Sequence, residues 1–282
     1  MDGLIVVDKP AGWTSHDVVA KLRGILGEKR IGHSGTLDPS ATGILLIGIG
    51  KFTRFLRYLT DLSKSYECEI VFGTTTSTLD ADGEIIGKFE MNFSASEAAA
   101  AAEKLTGEIM QTPPMFSAVQ QEGKRLYELA REGKNVDRKP RAVTVHQFQL
   151  MATDDRLVYS ARIHCSSGTY VRVLGADLGE LLGGGAHIRN LRRTSIGSFY
   201  EQDSHRLNDI NKDTIVLSSS EALRDYEAAE LDDGQILALR QGKQVELGSD
   251  FEILRAIDRD GELVAVVKRA ENGYKPDTVM SY

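Results

Sequence analysis

The segment Gly32-His33-Ser34-Gly35-Thr36-Leu37-Asp38-Pro39-Ser40-Ala41-Thr42-Gly43 constrains this chain more than any other. Three glycines, a proline and four Ser/Thr residues mark a tight polar loop in which the backbone turns sharply. The apolar run Ile44-Leu45-Leu46-Ile47 follows at once, so the chain must pass from this loop straight into a core. One carboxylate, Asp38, lies at the centre. Two readings fit a lone aspartate here: a nucleophile or base held out by a rigid scaffold, or an Asx-type turn that opens a strand. Spacing alone leaves both open.

The rest of the chain limits the classes to which that aspartate can belong. With 282 residues, 41% of them apolar, the sequence supports one large domain, or one plus a small one. No apolar stretch reaches membrane-spanning length, and the N-terminus is too acidic for a signal peptide. Cys68 and Cys165 have no metal-type spacing and the histidines are scattered, so the expectation is a reduced, cytoplasmic protein without a metal centre. The net charge of −7 is unevenly distributed. Residues 1–200 carry 24 Lys/Arg against 23 Asp/Glu, whereas 201–282 carry 10 against 18. Three basic stretches stand out in the balanced part: Lys51/Arg54/Arg57 at helical spacing, residues 121–141, and Arg189/Arg192/Arg193. Each is an ordinary solvated surface by itself; together they suit a phosphate backbone.

Periodicity predicts strands at Leu4–Val7, Ile44–Ile49, Tyr66–Phe72, Glu84–Phe89, Met115–Gln120, Ala142–Met151, Arg156–Cys165, Phe251–Ile257 and Glu262–Arg269. Helices are expected from His16 to about Leu26 with Ser15 as cap, near 51–59, from Ser94 to Leu105, within Gly123–Gly133, from about Tyr170 to Leu182, and near Gln235–Gln241. Residues 201–220 read as a linker. Strands and helices mix without strict alternation, which predicts class α+β with a mixed, largely antiparallel sheet.

Few residues compete with Asp38 for chemistry. Gly48-Ile49-Gly50-Lys51 imitates the end of a phosphate loop, but Leu45 and Phe52 occupy positions that need glycine and Ser/Thr. His33 reads as an acid, a base or a structural hydrogen-bonding group, and Tyr66 as a core residue of its strand. Arg172 sits in the first turns of a helix, where the dipole favours anions; it reads either as an ordinary surface arginine or as the partner of a carboxylate or phosphate that offsets this mildly unfavourable place.

Read together, the motifs resemble the bacterial TruB-type tRNA pseudouridine synthases. Gly32–Gly43 is similar to their catalytic motif and Asp8-Lys9-Pro10-Ala11-Gly12-Trp13-Thr14-Ser15 to their N-terminal one. Lys64-Ser65-Tyr66, Pro113–Ala118 with Gly123–Tyr127, and Gly168–Arg172 followed by Asp177–Gly179, Gly185–Ile188 and Leu191–Arg193 match the others in family order. Three positions depart from the family pattern: Phe116 replaces a usual tyrosine, Gln120 a frequent lysine and Ser40 an apolar residue.

The resemblance implies a synthase domain over 1–220 with an RNA-gripping insertion near 123–141, and a small β-rich PUA-like domain over 228–282. It implies isomerisation of uridine-55 in the tRNA T-loop to pseudouridine, without cofactor or metal, by a monomer acting on tRNA and away from membranes. Asp38 would be the catalytic carboxylate, Arg172 its partner, and Tyr66 would stack on the uracil and shuttle a proton. His33, Leu191, Lys64, Arg125 and Tyr170 would bind the substrate, and Lys9 would contact RNA or support the active-site loops. Two other readings compete with this one: an RNA-folding chaperone, and a guide-RNA-dependent relative, which the 123–141 insertion disfavours.

Overall fold

The protein is described by a computed structural model covering residues 2–117, 120–121, 123–134 and 136–280, with backbone alone at 120, 121, 125, 127, 130 and 131. In chain order its elements are β1 (Gly3–Lys9), α1 (Ser15–Leu26), β2 (Ile31–Ser34), β3 (Thr42–Ile49), α2 (Leu56–Thr60), β4 (Lys64–Phe72), β5 (Thr74–Thr76) and β6 (Ile85–Lys88). Next come α3 (Ala95–Lys104), β7 (Gly107–Gln111), β8 (Gln120–Gln121), β9 (Lys124–Arg125), α4 (Leu126–Arg131), β10 (Arg141–Ala152), β11 (Val158–Cys165), α5 (Val171–Leu181) and β12 (Ala186–Ile196). The remainder comprises β13 (Phe199–Tyr200), β14 (His205–Arg206), β15 (Ala228–Glu230), α6 (Asp233–Arg240), β16 (Ile253–Ile257), β17 (Leu263–Ala270) and β18 (Gly273–Val279). The class is α+β, as expected.

Two compact units share the chain: 1–37, 44–60 and 197–282 in the first, 38–43 and 61–196 in the second. In the first unit α1 starts at a capping box, Thr14 with Asp17, not at Ser15. Ser15 is instead buried, and its hydroxyl receives the Leu37 amide at 3.0 Å. The α1 face Val18/Val19/Leu22 packs with Ile5, Val7, Leu45 and Ile47. Leu207 and Ile210 join this core, and β14 pairs in parallel with β1, so 201–220 is an integral part of the unit and not a linker. The C-terminal strands form a separate sheet, β15-β16-β17-β18, around Leu254, Val264, Val267 and Tyr274.

In the second unit the strands run β12-β4-β11-β10-β7. One face of β4 (Tyr66, Cys68, Ile70, Phe72) is buried against Ala98, Ala101 and Ala102 of α3 and Val171, Leu174 and Leu178 of α5. Strand β12 was not expected from the sequence. It pairs antiparallel with β4, opposing Arg189 to Glu69 and Arg192 to Glu67, so two residues on one strand, Asn190 and Leu191, face the single Cys68 on the other. The extra residue is a β-bulge, with Asn190 at φ 56°. The predicted strand 115–120 is replaced by a bend at 115–117 and the two-residue β8, with 118 and 119 outside the described residues.

At the start of β3, Thr42 and Gly43 pair in parallel with Arg192 and Arg193 of β12. Gly43 has φ +99°, and a Cβ there would lie 2.2 Å from the Arg193 carbonyl oxygen. The site therefore needs glycine for both torsion and space. Gly43→Ala is expected to destabilise the protein by at least about 3 kcal/mol. Denaturant unfolding measures this, and a loss below 1 kcal/mol would contradict it.

Candidate active site

Asp38 lies on a turn closed by the Ala41 amide, which donates to the Asp38 carbonyl at 3.1 Å. Its side chain is 38% exposed, whereas the Arg172 side chain facing it is 6% exposed. Both carboxylate oxygens are engaged: Arg172 Nε lies 3.1 Å from Oδ2 and Nη2 lies 3.3 Å from Oδ1. This two-pronged geometry fixes the carboxylate's orientation as well as its charge. The other guanidinium donors are also used. Nη2 donates to the Phe116 carbonyl at 2.7 Å and Nη1 to the Thr78 carbonyl at 3.0 Å, and Nη1 forms an ion pair with Asp80 Oδ2 at 3.3 Å. A guanidinium has five N–H groups, and five acceptors surround this one.

Each partner is itself held. Asp80 accepts from the Thr78 hydroxyl and from the Asp82 amide at 3.1 Å. Val171 opens α5, so Arg172 stands in its first turn as expected, and the anions it needs there are Asp38 and Asp80. Phe116 contributes a backbone oxygen, so the loss of a tyrosine hydroxyl at this position leaves the bond intact. Beside Thr78 and Phe116 opens a cavity of about 380 Å³, bordered also by Leu79, Met115, Lys134 and Arg138.

Tyr66 is buried on β4, opposite Arg193 on β12 and Ile163 on β11. Burial pushes its phenol above the ordinary tyrosine range, while a hydrogen bond and the charge of Arg193 pull it back. Arg193 is 1% exposed, and burial lowers its pKa against the pull of Tyr66 and Asp38. It therefore cannot reach a phosphate backbone, which removes it from the Arg189/Arg192/Arg193 patch. Arg189 is occupied by Glu69 at 2.5 Å. Arg54 and Arg57 likewise turn toward β18, onto the Val279 carbonyl and Asp277.

Lys64 is buried and donates to the Leu62 carbonyl at 2.6 Å. Burial, with the nearby charge of Arg193, lowers it to about 8 from 10.5. Between those values the unfolded chain holds the proton and the fold does not, so stability rises with pH through that window. The stability of the wild type relative to Lys64→Met is expected to be flat below about pH 8 and to increase from there to pH 10.5. Thermal melts across that range measure the difference; a flat or falling profile would count against the assignment.

The remaining expected residues are distributed as follows. Leu191 lies in the β12 bulge and packs on the core. Tyr170 caps α5: its amide donates to Gln111 Oε1 at 2.6 Å, and Arg141 lies over its ring at 4.9 Å. His33, on β2, meets His16 edge-on with ring centroids 5.2 Å apart. Lys9 is fully buried, with Nζ on the Pro10 and Trp13 carbonyls at 2.9 and 2.8 Å, so it braces its own turn and is withdrawn from any direct RNA contact. The side chains of Arg125 and Gln120 lie outside the described residues. Asp80 and Arg193 were missed. Asp80 was hidden in an Asp-Ala-Asp-Gly turn signal, and Arg193 in a run of bases that looked like surface.

Residues 23–171 match the TruB family pseudouridylate synthase N-terminal domain, and 172–232 match the tRNA pseudouridylate synthase B C-terminal domain. The chain belongs to the TruB family. Its relatives include the tRNA pseudouridine synthase B of Corynebacterium aurimucosum, 42% identical over 98% of this chain and 95% of that one. The Thermobifida fusca protein of the same name is 39% identical over 99% of both chains. Among solved structures, a Cbf5-Nop10-Gar1 complex aligns at TM-score 0.78 and 24% identity, covering 99% of this chain and 85% of that one. At that identity the likeness is one of fold, and it extends over nearly the whole chain.

Proposed function

We propose that this protein converts uridine to pseudouridine in tRNA, at uridine-55 of the T-loop, acting as a monomer without a guide RNA. The observation that carries the reading is the half-exposed Asp38 carboxylate held at both oxygens by the buried Arg172. The reading is further supported by family membership and by relatives named tRNA pseudouridine synthase B.

The reaction breaks the N1–C1′ bond, turns the uracil and joins C5 to C1′. A fixed anion suits a sugar carbon that develops positive charge, as in glycoside chemistry. The target base must first leave its stack, at a cost of a few kcal/mol. In this proposal Asp38 serves the ribose, Tyr66 and Leu191 flank the uracil, and His33 fills space near the opened loop. Lys64 and Tyr170 support the site, and the 123–141 insertion with Arg125 grips the T-arm. Residues 1–220 would be the synthase domain and 228–282 a PUA-like domain.

The direct test uses tRNA transcripts with tritium at uridine C5. The expected result is tritium release from bare tRNA, and from an isolated T-arm hairpin, with no guide added. Absence of release from both would sink the proposal, and a requirement for a second RNA would move it to the guide-dependent class.

A further inference from the structure

We propose that Arg193 is a positioning residue for the proton transfer, holding and polarising the Tyr66 phenol. The inference rests on the proposed synthase activity and goes beyond it by assigning a second guanidinium to the site. Arg193 is fixed from two sides. Its backbone opposes Tyr66 on β4 and Gly43 on β3, and glycine lets that second strand approach. Its side chain is sequestered from solvent and hydrogen-bonds the Tyr66 hydroxyl, with Asp38 near enough for their charges to interact. Arg172, by contrast, has all its donors committed elsewhere.

The isomerisation moves one proton. When C5 bonds to C1′, C5 must lose its hydrogen and N1 must gain one. The Tyr66 oxygen, as phenolate, takes the proton from C5 and delivers it to N1, so the enzyme returns to its starting state with no external acid or base consumed. A neutral phenol is a poor acceptor, and burial disfavours its ionisation. The titratable groups bearing on Tyr66 are the Arg193 guanidinium from β12, the buried Cys165 thiol from β11 and the Asp38 carboxylate from its loop, with Lys64 on its own strand coupled to Arg193. Of these, Arg193 both carries positive charge and bonds the phenol, so it favours the phenolate where burial and Asp38 oppose it.

The test compares single-turnover pseudouridine formation across pH in wild type, Arg193→Lys, Arg193→Met and both combinations with Tyr66→Phe. Arg193→Met is expected to displace the rising limb of the pH profile upward by about one unit, roughly tenfold in rate on that limb. Arg193→Lys, which keeps charge but loses the planar fork, is expected to recover part of that loss and remain about threefold slow. In the Tyr66→Phe background both effects are expected to vanish. An unmoved limb, or equal slowing with and without the phenol, would overturn the assignment. Where Arg193→Met does not fold, Arg193→Lys decides: wild-type rates at every pH overturn the proposal, and a deficit confined to the Tyr66 background supports it. Failure of the synthase reading itself is distinct, because wild type would then form no pseudouridine at any pH.

Discussion

Asp38→Asn is expected to abolish pseudouridine formation, by at least about 10⁴-fold, while leaving the fold in place. That factor corresponds to roughly 5.5 kcal/mol of barrier. The substitution is nearly isosteric, so shape is kept and charge is lost. An amide cannot serve as an anionic nucleophile or as an anionic neighbour to an electron-poor sugar carbon. It also turns one acceptor into a donor facing the donors of Arg172. The stability cost is expected to be small, within about 1 kcal/mol. The Asp38 side chain is 38% exposed, and Arg172 retains Asp80 and the carbonyls of Thr78 and Phe116. Tritium release paired with thermal unfolding separates the two quantities. A variant with more than a hundredth of wild-type rate would remove Asp38 from the chemistry.

Arg172→Met has the complementary profile: activity and stability are lost together. Methionine fills much of the volume but offers no donor, so the 13%-exposed Asp80 side chain loses its counter-charge and two carbonyls lose a partner. Breaking a buried pair from one side costs about 3–5 kcal/mol. Arg172→Lys supplies three donors where five acceptors are placed, so it is expected to recover about half of the stability and little of the activity, because an ammonium cannot hold both carboxylate oxygens in plane. Denaturant unfolding of both variants provides the check. A loss below about 1 kcal/mol in the methionine variant would mean that the guanidinium is not a structural hub.

Much of this site was legible in sequence because its parts lie in compact motifs. Asp38 announced itself through the glycines around it, and Arg172 through its unfavourable place at a helix start. What escaped was the part that depends on pairing between distant strands. The β12 strand alternates poorly, since its bulge at Asn190 and Leu191 shifts the period midway. A strand hidden in this way could not reveal that Arg193 is buried while Arg189 is not. Asp80 failed for another reason: the residues that bond its side chain, Thr78 and Asp82, are those that make a convincing local turn. The ambiguity of residues 201–220 was compositional, because Leu207 and Ile210 are isolated apolar residues in a polar stretch that still reach a core.

The separation of Asp38 from Arg172 along the chain has a consequence for biosynthesis. The carboxylate leaves the ribosome 134 residues ahead of the guanidinium that orients it. At ordinary rates of translation that interval is on the order of ten seconds. The β12 strand against which Thr42 and Gly43 align emerges later still. A nascent or truncated chain lacking residues beyond about 170 therefore presents the Asp38 loop without its clamp. Catalytic competence is expected to arise late and all at once, so ribosome-released fragments should be inert toward RNA rather than partly active.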